Sequence, residues 1–75
     1  MESNTLLELE REAEAIRYLT RRVQSEYAEM PGLSVTMPQA QRLLDIDRAT
    51  CALVFKALVK LGFLRQTAQG RYVRA

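Results

Sequence analysis

Six cations and no acid occupy the stretch from Arg48 to the end of the chain: Arg48, Lys56, Lys60, Arg65, Arg71 and Arg74. Side chains of this kind, with no carboxylate between them, suit a polyanionic partner, most simply the phosphates of nucleic acid. Other chemistry is poorly provided for. There is no histidine, and Cys51 is the single cysteine. That excludes an intrachain disulfide, a zinc site of the Cys/His type and any His-based triad or acid–base pair. No nucleophile–base pair and no phosphate-cradling glycine loop is visible, so a binding protein is expected rather than an enzyme, with no cofactor and no metal.

The charge is unevenly distributed. Residues 1–15 carry five glutamates against Arg11, a net of −4, while residues 16–75 carry ten Lys/Arg against four acids, a net of +6. With 75 residues, 48% of them apolar and 27% charged, the chain has the composition of one small globular domain. Its longest apolar run is Cys51 to Phe55, too short to span a membrane, and the acidic start lacks the basic and apolar regions of a signal peptide. A cytoplasmic protein is expected.

The elements that must position the cations follow from periodicity and punctuation. Leu6, Leu9, Ala13, Ile16, Thr20, Val23, Tyr27 and Met30 are spaced alternately three and four apart, one stripe of a long helix. Thr5 and Glu8 form a candidate capping box at its start, and Pro31-Gly32 ends it. Such a helix, about 37 Å long at about 1.5 Å per residue, exceeds the width of the globule that residues 31–75 can form, about 24 Å. Its second half is expected in the core. Its first half, with Leu6, Leu7, Leu9 and Ala13, is left over for dimerisation.

Leu33-Ser34-Val35 is β-prone, and Thr36 and Gln39 are spaced as a second capping box ahead of a short helix with Met37, Ala40, Leu43 and Leu44 on one face. Asp47 caps a third helix, Arg48 to Leu61, stopped at Gly62. Cys51, Val54, Phe55, Leu58 and Leu61 are its expected inner stripe. The remainder reads as a β-hairpin, Phe63–Gln66 and Arg71–Arg74, flanking a four-residue turn, with Phe63, Tyr72 and Leu64 over the core and Arg65, Arg71 and Arg74 outward.

A short helix, a turn of about three residues and a second helix is the helix-turn-helix pattern, and a hairpin directly after it is a wing. Residues 33–74 resemble the winged-helix domain of bacterial regulators, most closely the N-terminal DNA-binding domain of the IclR type. The resemblance is carried by Asp47-Arg48-Ala49-Thr50, by Leu58 through Arg65, and by Gly70-Arg71-Tyr72. The element from Leu58 to Arg65 is also similar to one in MarR-type regulators. The expected fold class is therefore mostly α with a small β-hairpin, a winged helix-turn-helix with a long N-terminal helix, residues 1–30, followed by the helix-turn-helix and wing, residues 31–75. The effector-binding domain of full-length IclR-type proteins is not within these residues, and Leu53 stands where that pattern has arginine.

The resemblance implies double-stranded DNA as partner, bound by a homodimer in transcription control, with Arg42, Arg48, Thr50, Lys56, Arg65, Arg71 and Arg74 as the contacting residues. Of the exposed side of the third helix only Arg48, Lys56 and Thr50 offer the hydrogen-bonding groups that read base edges. Each has an alternative role: Thr50 can support its helix start, the lysines can keep a helix solvated, and the arginines can guard an edge strand. Arg17, Arg21 and Arg22 are expected to pair with Glu14 and Glu26, and Cys51 to be a buried small hydrophobe. A winged helix that binds another protein through Ala49, Ala52 and Leu53 is the competing reading.

Overall fold

The computed structural model describes the backbone of residues 2–75 and the side chains of residues 5–75. The three-four stripe winds into one helix, α1, Glu2–Glu29, followed by α2, Met37–Leu44, α3, Arg48–Lys60, and an antiparallel hairpin of β1, Leu64–Gln66, and β2, Tyr72–Arg74. The chain is thus mostly helical with a small β-hairpin. Thr5 is not the cap of α1 but lies within it, because no glycine or proline precedes it to stop the helix. At about 42 Å for 28 residues, α1 sets the long dimension of a molecule measuring 45 × 20 × 20 Å.

The shorter elements begin and end where local chemistry dictates. The Thr36 backbone N–H donates to Gln39 Oε1 at 2.9 Å and the Gln39 N–H to Thr36 Oγ1 at 3.4 Å, closing the capping box of α2. Asp45, at φ 54°, turns the chain out of α2 in the left-handed region that aspartate tolerates better than most residues. Asp47 then caps α3, accepting from the Thr50 N–H at 3.0 Å and the Thr50 hydroxyl at 2.6 Å. Gly62, at φ 79°, closes α3: its N–H donates to Val59 O and that of Phe63 to Leu58 O, both at 3.0 Å, the paired bonds of a Schellman motif.

The core gathers Leu19, Val23 and Tyr27 from α1, Ala40 and Leu44 from α2, Cys51, Val54, Phe55 and Leu58 from α3, with Val35 and Leu64. Four expectations are corrected here. Leu19, outside the stripe, is buried. Met30 is 47% exposed, because α1 has ended and nothing lies over it. Leu61 is 72% exposed, since each step of three residues lags the helical turn by about 60° and two such steps carry it off the core face. Leu43 is also exposed, the buried positions of α2 being Ala40 and Leu44.

The hairpin register pairs Leu64 with Arg74, Arg65 with Val73 and Gln66 with Tyr72. Leu33-Ser34-Val35 contributes one further bridge: Val35 exchanges backbone hydrogen bonds with Tyr72 at 2.7 and 3.3 Å. Tyr27 of α1 secures this junction by donating its hydroxyl to Tyr72 O at 2.7 Å, and the rings of Phe55 and Tyr72 meet edge to face at 5.0 Å.

Burial pushes the Tyr27 phenol up to about 12. The folded chain therefore holds this proton more tightly than the unfolded chain, whose tyrosines ionise near pH 10. Stability from Tyr27 is complete below about pH 10 and falls as the pH rises from about 10 towards 12. Tyr27→Phe is expected to cost about 0.5–1.5 kcal/mol at pH 7 through the lost hydrogen bond, and to flatten the alkaline decline. Urea unfolding at pH 7, 9 and 11 checks both. An unchanged alkaline slope in the variant would assign the decline to another group.

Candidate nucleic-acid interface

The exposed side of α3 is opposite its buried row of Cys51, Val54, Phe55 and Leu58. At 100° per residue, Ala49, Leu53, Lys56 and Lys60 fall near its centre, with Arg48 and Ala52 on the flank nearer α2 and the hairpin. All six are exposed. An open groove of about 490 Å³ runs along this flank, lined by Met37 of α2, Ala52, Lys56, Val59 and Lys60 of α3, and Gln66 and Tyr72 at the hairpin. Lys56 and Lys60, one turn apart, thus border the same groove as the polar Gln66.

The expected contact residues divide into two groups. Arg48, Lys56 and Arg65 are exposed, on α3 and on the outward face of β1. Arg42 is exposed in the last turn of α2, where a cation also complements the carbonyl end of the helix. The remaining three are engaged by the fold. Thr50 gives both its N–H and its hydroxyl to Asp47, and these bonds hold the Asp47 carboxyl below the usual carboxylate range. Arg71 donates to Ser34 O at 3.3 Å and Gln39 Oε1 at 3.5 Å, bridging the hairpin to the start of α2.

Arg74 does not point outward as expected. Its pairing with Leu64 puts it on the core-facing side of the hairpin, where its guanidinium stacks 3.9 Å from the Phe63 ring centroid and donates to Phe63 O at 3.0 Å.

Reading the sequence also left Lys60 and Gln66 out of the site. The four-residue spacing of Lys56 and Lys60 was sufficient to find the lysine, whereas Gln66 enters through the fold of the hairpin. Arg22, expected to pair within α1, instead reaches Leu43 O at the end of α2 at 3.4 Å.

On α1, Leu6, Leu7 and Leu9 are 58%, 48% and 57% exposed, and Ala13 is exposed too. Leu6, Leu9 and Ala13 share one side, but Leu7 is about 160° round the helix from Leu9. Cys51 is fully buried, and burial and the nearby Asp47 push its thiol up, opposite to the shift that makes a reactive thiolate.

Among the described residues no cluster of His, Cys, Asp and Glu could hold a metal ion, and no helix is long and apolar enough to cross a membrane. Comparison of the chain with protein-family models, curated proteins and solved structures finds no match.

Proposed function

We propose that the chain binds double-stranded DNA as a homodimer in transcription control, in the manner of a winged helix-turn-helix. In this reading α3 enters the major groove, the hairpin rests on the flanking backbone, and the overhang of α1 joins two copies. The observation that carries it is the set of exposed cations, Arg48, Lys56, Lys60 and Arg65, on one helix and the hairpin beside it, in a stretch free of acids. The order α2, three-residue turn, α3, hairpin supports it. A cytoplasmic, non-enzymatic regulator of bacterial type fits this role.

The cations have different tasks. Lys56, Lys60, Arg65 and Arg42 contact phosphates, which supply affinity without sequence information. Arg48, in the first turn of α3, is the best candidate of its long cationic side chains for a bidentate contact to a guanine edge. Thr50, Arg71 and Arg74 act mainly by positioning: Thr50 fixes the start of α3, and the two arginines fix the hairpin. With Ala49, Ala52 and Leu53 as neighbours, discrimination among sequences is low, and DNA shape and dimer spacing supply much of it.

A salt titration with random duplex tests the reading. Log affinity should fall linearly with log salt, and Arg65→Ala should shallow the slope by up to about one unit. On a selected operator, Arg48→Ala should cost about 1–3 kcal/mol and much less on random duplex. Equal losses on both duplexes would show that Arg48 reads no base. Absence of binding at low salt would favour the second reading, a winged-helix module for a protein partner, to which the apolar Met37, Ala52, Val59 and Tyr72 lining of the groove lends itself.

A further inference from the structure

The groove between α3, the start of α2 and the hairpin holds about 490 Å³, within the span of small-molecule sites, about 300–1,000 Å³. Its lining is of two kinds. Met37, Ala52, Val59 and Tyr72 give it apolar walls, and the Tyr72 ring is fixed edge to face against Phe55. Lys56, Lys60 and Gln66 are its polar groups, with no acid among the lining residues. Duplex phosphates account for the lysines. They do not account for the apolar walls, because a phosphodiester strand is charged and hydrated along its length and gains little from covering Met37 or Val59.

We infer that this groove binds an amphipathic carboxylate, an unbranched alkyl chain with one anionic head, and that such a ligand excludes duplex from α3. The ligand site goes beyond the proposed function; only the exclusion of duplex rests on it.

Shape and charge select this class. Ala52, Lys56 and Lys60 form a row in steps of four along one edge, about 12 Å from end to end at about 1.5 Å per residue. The groove is therefore elongated along α3 and suits an extended chain. Within it the Ala52 end of the row is uncharged, while the other end carries both lysines. Two ammonium groups one turn apart, with no carboxylate beside them, suit one anionic head, and the Gln66 amide offers a further N–H. Lysine stems cover apolar surface while their ammonium ends stay in water, so the same two side chains can flank the tail and hold the head. A groove with one cationic end matches a ligand with one head and one tail, whereas an acidic amphipathic helix repeats its charges along its length.

Amide chemical shifts of the full chain, titrated with decanoate in the absence of DNA, test the site. The perturbed amides should cluster at Met37, Ala52, Val59, Gln66 and Tyr72 and report one dissociation constant of about 1 mM or below. Affinity should rise about two- to fourfold per methylene from hexanoate to decanoate, fourfold being complete burial of each. Decyltrimethylammonium, with a similar tail and a cationic head, should bind at least about tenfold more weakly.

Two variants separate tail from head. Val59→Gln should weaken decanoate about fivefold or more and leave duplex affinity within about twofold. Lys56→Gln combined with Lys60→Gln should weaken both decanoate and duplex. Helical circular dichroism should persist in each, since Val59, at 39% exposure, and the two lysines are outside the core. In the wild type, decanoate at ten times its dissociation constant should lower apparent duplex affinity about tenfold.

Shifts centred instead on the cleft of Leu9 and Leu53 between α1 and α3, equal binding of the cationic amphiphile, or duplex affinity unchanged by saturating decanoate would each overturn the proposal. So would an acidic amphipathic peptide that shifts the groove amides where decanoate does not, for the groove would then belong to a protein. If duplex itself fails to bind at low salt, the proposed function falls, and the shifts alone decide the ligand site.

Discussion

Replacing Phe55 by alanine is expected to leave the domain unfolded at room temperature. Phe55 is 1% exposed and sits where α3 meets the hairpin, its ring edge to face with Tyr72. Removing the ring forfeits its transfer from water, its contacts, and the aromatic pair, and opens a cavity that a small domain cannot fill. Such truncations cost about 3–5 kcal/mol. A core of this size supplies a net stability of about the same amount. The variant should therefore lack a cooperative urea transition and lose most of its helical signal at 25 °C. Leu61→Ala is the matched control: at 72% exposure its change should lie within about 0.5 kcal/mol. A cooperative Phe55→Ala transition less than about 1.5 kcal/mol below wild type would mean that the interior relaxes into the space or that stability resides elsewhere, for instance in subunit association.

The second large effect concerns binding. Lys56→Glu combined with Lys60→Glu reverses two charges one turn apart on the exposed side of α3, a change of −4 in the stretch that is otherwise free of acids. Affinity for random duplex at about 50 mM salt should fall by at least about 100-fold, and the salt slope should shallow by about two units. Both lysines are exposed, so folding should change by no more than about 0.5 kcal/mol per site. Arg74→Ala should behave in the opposite way. Its guanidinium is stacked on Phe63 and bonded to Phe63 O, so its loss should cost about 0.5–1 kcal/mol of stability and little affinity. Fluorescence anisotropy with labelled duplex, beside urea unfolding of the same samples, separates the two. A double lysine variant that binds duplex as wild type does would remove α3 from the interface.

The contrast between Lys56 and Arg74 shows where reading the sequence succeeds and where it stops. Helix ends are decided within four or five residues. Thr36 with Gln39, Asp47 before Arg48, and Gly62 after Leu61 each satisfy orphaned backbone groups with atoms close by in the chain, so the bounds of α2 and α3 were legible directly. The same holds for the exposed cations of α3, because helical phase alone sets Lys56 and Lys60 opposite Phe55 and Leu58. Thr5 was misread for the complementary reason: a capping box is only one way to begin a helix, and nothing upstream opposed its extension.

Tertiary structure decided what depends on partners distant in sequence. Arg65, Arg71 and Arg74 look equivalent in a short basic hairpin. The pairing of Leu64 with Arg74 turns one of them onto Phe63, and the approach of Ser34 and Gln39 captures another, leaving Arg65 alone on the outer face. The burial of Leu19 and exposure of Leu61 arise similarly, since which edge of an apolar stripe is covered depends on where the neighbouring helix crosses. The groove that joins Lys56 and Lys60 to Gln66, and the cleft that joins Leu9 to Leu53, exist only once α3 is packed against the hairpin and against α1. Periodicity assigns a residue to a face of its own element, but only packing assigns that face to the core, to solvent or to another molecule.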